Sequence, residues 1–282
     1  MMTPRTILCP TTADMRAAIG VLGTFFARPS YSRGGVQLFT NAGPLAGALR
    51  LEECQPSESN PWLVQELVHG LDVCTFSVCH HGRVVAHSTY VHPREIEHAG
   101  GIVFESVDEP DALEYARRIA AETGYHGHLS LDFMKTENGL VAIECNPRPT
   151  AGVYLMRSDE YARALLAPAD DVLVVKPGKR RKISIALVRD MVLHWREIPK
   201  DLPHLLSTAK DVYLDRHDAL PGIFQVLSYS HVLAYRRDHV EAHGSRQLLA
   251  AYFDDVQWDG ESLESHATPA TLGGHHAVVR AP

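Results

Sequence analysis

The segment His128 to Arg148, HLSLDFMKTENGLVAIECNPR, constrains this chain more than any other stretch. Leu129, Leu131 and Phe133 alternate with Ser130, Asp132 and Met134. Past Glu137-Asn138-Gly139, Val141 and Ile143 alternate with Ala142, Glu144 and Asn146. A period of two marks a strand with one buried face, so the segment reads as an antiparallel hairpin carrying acid on each strand. Glu144 and Asn146, two residues apart, share a face. Whether Asp132 joins them depends on the turn. A two-residue Asn138-Gly139 turn pairs Asp132 with Cys145 and leaves Glu144 on the far face; a three-residue turn with Gly139 in the left-handed region pairs Asp132 with Glu144. We expect the three-residue turn.

Like charges facing each other destabilise a bare sheet, so that register asks for a cation. Asp, Glu and Asn oxygens are hard ligands suited to Mg²⁺, which completes its octahedron with water and phosphate oxygens. The acid spacing alone fits an exposed hairpin with an acidic outer face equally well.

Around this hairpin the chain reads as mixed α and β. Thr12 to Gly23 has a capped helical pattern closed by glycine. Thr24 to Arg28 is strand-like, Pro29 to Gly35 a polar glycine-ending loop, Val36 to Phe39 a second strand, and Asn41 to Arg50 a short helix. Trp62 to Leu67 reads as a buried strand. Val73 to Cys79 and Arg83 to Tyr90 read as strands flanking a His80-His81-Gly82 turn. Glu109 to Thr123 carries apolar residues at helical spacing and stops at Gly124, and Val153 to Leu166 reads as a further helix. The short basic run Lys179 to Lys182 reads as a solvated turn. Ile183 to Val188, Val212 to Leu214, Ile223 to Tyr229 and His231 to Tyr235 give mixed signals, and Ser262 to Pro282 reads as a tail.

Composition narrows the functions. A net charge of −7 without a long basic run argues against a nucleic-acid partner. No apolar stretch approaches the roughly 20 residues of a membrane span, and the start lacks a signal-peptide pattern. Five cysteines without CxxC pairs suggest neither a disulfide framework nor a zinc site, which fits a cytoplasmic setting.

Glu144-Cys145-Asn146-Pro147-Arg148 resembles the ExNPR strand end of ATP-grasp enzymes, and Leu131-Asp132-Phe133 resembles the strand before it. Phe26 to Gly35 (FARPSYSRGG) resembles the family's strand and glycine-rich loop, with Arg28 where Lys is common. Val64 to Val68, then Gly70 and Asp72, resembles the adenine-reading hinge, with Asp where Glu is common at the ribose. The likeness covers Cys9 to Met156 as four motifs in order.

The resemblance implies an α+β fold of two subdomains holding ATP between antiparallel sheets, plus a C-terminal α/β extension. Residues 1–67 would form the small subdomain, 68–170 the large one, and 171–282 a region of unassigned role. It implies that Asp132, Glu144 and Asn146 hold Mg²⁺ or Mn²⁺, that Arg148 and Arg28 clamp the transferred phosphoryl group, and that Ser32, Arg33, Gly34 and Gly35 close on the phosphates. Glu66 and Leu67 would meet adenine and Asp72 the ribose. The implied activity is an ATP-dependent ligase joining small carboxylate and amine substrates through an acyl-phosphate. The family's usual N-terminal Rossmann-like domain is not matched before the small subdomain, so the resemblance implies either that this sequence is a fragment or that a partner, or a further copy of the chain, supplies that domain. A non-catalytic ATP-binding module and a phosphotransferase are the alternatives. His87, Tyr90 and His92 are read as structural.

Overall fold

The computed structural model describes residues 1–231 and 234, except 33–36, 44, 97–99, 216–217, 226 and 229. The expected tail at 262–282 and the signal at His231 to Tyr235, apart from His231 and Ala234, lie outside the described residues. The described residues form two compact units: Pro4–Leu67 with the few described residues after 226, and Met1–Thr3 with residues 68–225.

In the smaller unit, β1 (Thr6–Cys9), β2 (Phe25–Pro29), β3 (Phe39–Thr40) and β4 (Trp62–Glu66) form an antiparallel sheet in the order β1-β4-β2-β3. Helix α1 (Thr12–Leu22) starts with a capping box: Asp14 N donates to Thr11 Oγ1 at 3.2 Å and Thr11 N to Asp14 Oδ2 at 3.1 Å. Met15 and Ala18 of α1 pack on Phe25, Ala27, Trp62 and Val64, closing a core. A buried side chain of Met15's size contributes roughly 1.5–3 kcal/mol. The sequence pattern missed β1. It also expected a helix at Asn41 to Arg50, where the described residues form turns, because Gly43 and Gly47 take φ of 74° and 76°. The strand expected at Val36 to Phe39 is only Phe39–Thr40, and Val36 lies outside the described residues.

The larger unit is built on an eight-stranded sheet among the described residues. Its strands are β5 (Leu71–His80), β6 (Arg83–Ile96), β7 (Gly100–Ser106), β8 (Gly127–Thr136), β9 (Gly139–Asn146), β10 (Leu173–Val174), β11 (Arg180–Lys182) and β12 (Lys210–Asp211). The order is β12-β11-β7-β6-β5-β8-β9, and β10 lies parallel beside β6. Helix α2 (Pro110–Thr123), ending at a left-handed Gly124, lays Ala112, Ala116 and Ala120 against Val73, Leu129, Leu131 and Phe133 on one face. The other face carries Phe76, Val78 and Tyr90 under a 3₁₀ turn at Ala151–Leu155 and α3 (Ser158–Leu166). The single helix expected over Val153 to Leu166 is therefore two pieces, because Met156 and Arg157 take extended backbone (ψ 154° and 149°). Gly152 lets the turn sit directly on the sheet: a Cβ there would lie 2.6 Å from Phe76 Cβ and 2.8 Å from Tyr90 Cε1.

Residues 171 onward add to this sheet. The Lys179 to Lys182 run is not a solvated turn but leads into β11, which pairs with β7. Arg180 meets Glu105 at 2.5 Å, and the buried Lys182 ammonium donates to the Leu205 and Ser207 carbonyls at 2.6 and 2.8 Å, capping α5 (Ile198–Leu206). The stretch Ile183 to Val188 enters α4 (Ser184–Leu193). Arg94 of β6 fastens both helices to the sheet. It meets Asp190 of α4 at 2.7 Å, Glu197 at 3.0 Å and the buried Asp201 of α5 at 2.5 Å.

His87 is structural, as expected. It is buried on the α2 side of the sheet, with Nδ1 2.8 Å from Ser77 Oγ and Nε2 2.8 Å from Thr89 Oγ1. Burial holds its pKa down at about 3, with the Arg117 charge adding. Because the folded pKa lies below the ordinary value near 6.5, the neutral ring's contribution is complete above pH ~6.5 and fades as pH falls toward 3, at roughly 1.4 kcal/mol per pH unit. Urea unfolding of the native chain and of His87→Gln at pH 7 and pH 5 checks this. The native chain should lose about 2 kcal/mol more than the variant over that interval, and equal losses would refute the assignment.

Candidate functional site

The hairpin pairs Ser130 with Asn146, Leu131 with Cys145 and Asp132 with Glu144. Asp132 and Glu144 therefore face each other, as the sequence suggested, but the turn is not the one expected. Only Glu137 and Asn138 lie between the paired Thr136 and Gly139, and the register slips between Asp132 and Phe133, where Phe133 pairs with Ala142. Ile143 is the extra residue of a β-bulge, and this slip supplies the step that a three-residue turn would have given. Gly139 has φ of 109° and begins β9 instead of sitting within the turn.

The register continues across the sheet. Cys74 pairs with Asp132 on one side and Tyr90 on the other, and Asp72 pairs with Met134. Antiparallel partners and residues two apart share a face, so Asp72, Cys74, Tyr90, Asp132, Glu144 and Asn146 line one side of the larger unit's sheet. Asn146 Nδ2 donates to Asp132 Oδ2 at 3.2 Å, which directs the amide oxygen of Asn146 away from Asp132. Neither Asp132 nor Glu144 forms an ion pair among the described residues. Burial pushes the Asp132 carboxyl above its usual range; the Cys74 thiol opposes this by hydrogen bonding, and the Glu144 charge adds to it. Burial, with Asp132 beside it, also raises the Cys74 thiol strongly. Among the described residues no three His, Cys, Asp or Glu side chains form a cage, so the donor set is two carboxylates and one amide oxygen.

A polar chain fixes the backbone of Arg148. Tyr90 Oη donates to Thr150 Oγ1 at 3.2 Å, Thr150 Oγ1 lies 3.0 Å from Ser130 Oγ, and Ser130 Oγ donates to the Arg148 carbonyl at 3.0 Å. Arg148 itself is exposed and forms no ion pair among the described residues. Tyr90, Thr150, Ser130 and Cys74 were not legible as site residues. For Tyr90, Ser130 and Cys74 the signal is the register, since each falls on the face of Asp132; Thr150, which precedes the 3₁₀ turn, has none. His92 lies on the same strand as Tyr90, with Nδ1 3.2 Å from Glu95 Oε1.

In the smaller unit, Arg28 is half-buried on β2, on the face opposite the core residues Ala27 and Pro29, with no ion pair among the described residues. Ser32 Oγ donates to the Pro29 carbonyl at 2.9 Å, while Arg33, Gly34 and Gly35 lie outside the described residues. Glu66 ends β4 with its side chain exposed. The Glu66 and Leu67 amides donate to the Arg5 and Thr24 carbonyls at 3.0 and 3.2 Å.

The larger unit thus carries a facing carboxylate pair beside an Asn-Pro-Arg strand end. No family model matches the chain, and no curated protein matches it. Solved structures do. The ADP complex of PurK, N5-carboxyaminoimidazole ribonucleotide synthetase, superposes with a TM-score of 0.52 at 12% identity over 71% of this chain and 56% of that one. The Staphylococcus aureus N5-carboxyaminoimidazole synthetase with ADP gives 0.48 at 14% identity over 71% and 56%. The ATP-grasp ligase PsnB with a minimal precursor, Mg and ADP gives 0.38 at 17% identity over 54% and 46%. The chain has the ATP-grasp fold. It spans about half the length of these structures, 46% to 56%. No helix among the described residues is long and apolar enough to cross a membrane.

Proposed function

We propose that the chain is an ATP-dependent ligase that activates a carboxylate as an acyl-phosphate for attack by an amine or similar nucleophile. The observation that carries this reading is the facing of Asp132 and Glu144, with Asn146 two residues along and, among the described residues, no cationic side chain in an ion pair with either acid. Two uncompensated carboxylates and an amide oxygen fit Mg²⁺ or Mn²⁺, which take few protein ligands when phosphate oxygens complete the shell. Bound there, the ion would neutralise charge on the β- and γ-phosphates.

The chain's own residues supply positioning and charge. Arg148, its backbone fixed by the Tyr90-Thr150-Ser130 chain, presents planar donors to the transferred phosphoryl oxygens, and Arg28 is assigned the same role from the smaller unit. Ser32 to Gly35 are assigned to the phosphates, the Glu66 and Leu67 carbonyls with the Glu66 carboxylate to adenine, and Asp72 to the ribose hydroxyls. In the first step a substrate carboxylate oxygen attacks the γ-phosphorus as the bond to the ADP oxygen breaks. In the second the nucleophile's lone pair attacks the acyl carbon, phosphate departs with the C–O electrons, and the nitrogen loses a proton. Such phosphoryl transfer demands little covalent help from protein.

The test is ADP formation from Mg·ATP by the full chain with a panel of small carboxylates, using hydroxylamine as the nucleophile. Hydroxamate formed in step with ADP supports the ligase. Nucleotide binding without turnover would overturn it in favour of a binding module, and a stable phosphorylated product would overturn it in favour of a phosphotransferase.

A further inference from the structure

Apart from the nucleotide and metal residues, we propose that the larger unit binds an organic anion in a second cavity, its phosphate or carboxylate held by Arg181 and Lys210 of the lining, with the charge of Lys179 beside them, and its body against Tyr154, Val212 and Leu214. The cavity, of about 780 Å³, lies between the 3₁₀ turn with the start of α3 and the strands β11 and β12. Alternation along the basic run creates it. Arg180 and Lys182 are spent on Glu105 and on the α5 carbonyls, while Lys179 and Arg181, two residues apart, share the opposite side.

A count of donors and acceptors gives the ligand's charge. Arg181 uses Nε on the Tyr154 carbonyl at 2.9 Å, and its remaining guanidinium donors have no partner among the described residues. The Lys179 and Lys210 ammonium groups have none either. On the acceptor side, the wall's Asp211 is already occupied. Its carboxylate accepts from Ser184 N at 2.7 Å, Tyr213 N at 2.7 Å and Leu214 N at 2.8 Å. Asp215 is the other acid lining the space, and Arg157 is committed to Asp159 at 2.9 Å. The uncommitted polar groups are thus mainly cationic donors.

The electrostatics agree. Burial depresses Lys179, with Arg181, Arg157 and Lys210 adding by repulsion and Glu160 opposing. Burial also depresses Arg181, with Asp215 opposing. Desolvated like charges that converge on one space are relieved by an anion. The apolar wall of Val153, Met156, Val212 and Leu214 adds area for a hydrocarbon or aromatic body, so the fitting class is an amphiphilic phosphate or carboxylate in preference to a bare ion.

Calorimetric titration of the full chain with phenyl phosphate, benzoate and inorganic phosphate, in saturating Mg·ADP, tests this. One-site binding of phenyl phosphate or benzoate, tighter than inorganic phosphate and weakened about tenfold or more in Lys179→Gln/Lys210→Gln, is the expected result, since a hydrogen bond to a charged group is worth roughly 1.5–3 kcal/mol. The tighter of the two organic probes identifies the anion. Arg148→Gln should leave the affinity within twofold, which separates this cavity from the residues assigned to nucleotide. Neither lysine's ammonium group has a partner among the described residues, so that double variant should fold normally, and Arg181→Gln gives a second reading. Absence of binding by all three probes, or an affinity unchanged by the lysine and arginine substitutions, overturns the proposal.

Discussion

Asp132→Ala should lower Mg²⁺-dependent nucleotide turnover by at least about 100-fold while leaving the unliganded fold as stable as before, or slightly more stable. The reasons lie in one pair of residues. Asp132 faces Glu144 across paired strands with no ion pair to either acid among the described residues; burial and Glu144 push its carboxyl upward, while Cys74 and the charges of His92 and Arg148 oppose this. Without metal the pair is a liability, so removing one charge relieves repulsion. With metal the same charge is a ligand, and its loss removes binding and transition-state stabilisation together. Asp132→Asn sharpens the point by keeping the shape and the Asn146 contact while removing the charge. Thermal melts with and without Mg·ATP, alongside an ADP-release assay, check the expectation. A Mg²⁺-dependent turnover that survives Asp132→Ala would remove the metal assignment.

The second large effect is on stability. Arg94→Ala should cost about 3–5 kcal/mol, the usual range for breaking a buried ion pair by removing one partner. Arg94 is 15% exposed and Asp190 and Asp201 are 3% and 0% exposed; without the guanidinium Asp190 keeps His194 Nδ1 at 2.7 Å, and Asp201 loses its charged partner. Asp201 Oδ2 already lacks a partner, so its other oxygen depends on Arg94. Because the three acids lie on α4, on the turn after it and on α5, loss of the guanidinium should release that helical pair first. Urea unfolding measures the cost, and hydrogen exchange in Ala186 to Leu206 locates it. A loss under about 1 kcal/mol would mean that the network behaves like an exposed salt bridge.

What the sequence disclosed, and what it withheld, follows from the range of the forces involved. The hairpin, α1 and α2 were legible because alternation, capping residues and terminal glycines act within a few positions of one another. Thr11 with Asp14, and Gly124 after Thr123, are examples. The facing of Asp132 and Glu144 was legible as an outcome, but its cause was not. A two-residue reversal compensated by an extra residue at Ile143 gives the same pairing as a three-residue turn. Contacts at long separation left no local signal. Arg94 carries no local sign of its role, because its three acids arrive from α4, α5 and the turn between them about a hundred residues later. Lys182 reads as part of a solvated turn until the α5 carbonyls arrive. The break in the helix expected over Val153 to Leu166 belongs to the same class. Gly152 has to meet Phe76 and Tyr90 closely, and the chain can continue as α3 only after an extended step.

The bulge at Ile143 separates two jobs that a simple hairpin ties together. Its reversal at Glu137-Asn138 and its acidic row answer to different residues, so a one-residue change in the loop and a one-residue change at Ile143 are opposite kinds of mutation. Deleting Ile143 would take out the extra residue and leave Glu144 following Ala142, still opposite Asp132 on the acidic face, so the bulge becomes a regular ladder while the turn still closes. A chain compared with others by counting from its turn would therefore be aligned one position out of phase at the residues that matter most. The reliable anchor is the strand end, where Asn146 opposite Ser130 and the tethered Arg148 carbonyl fix the frame.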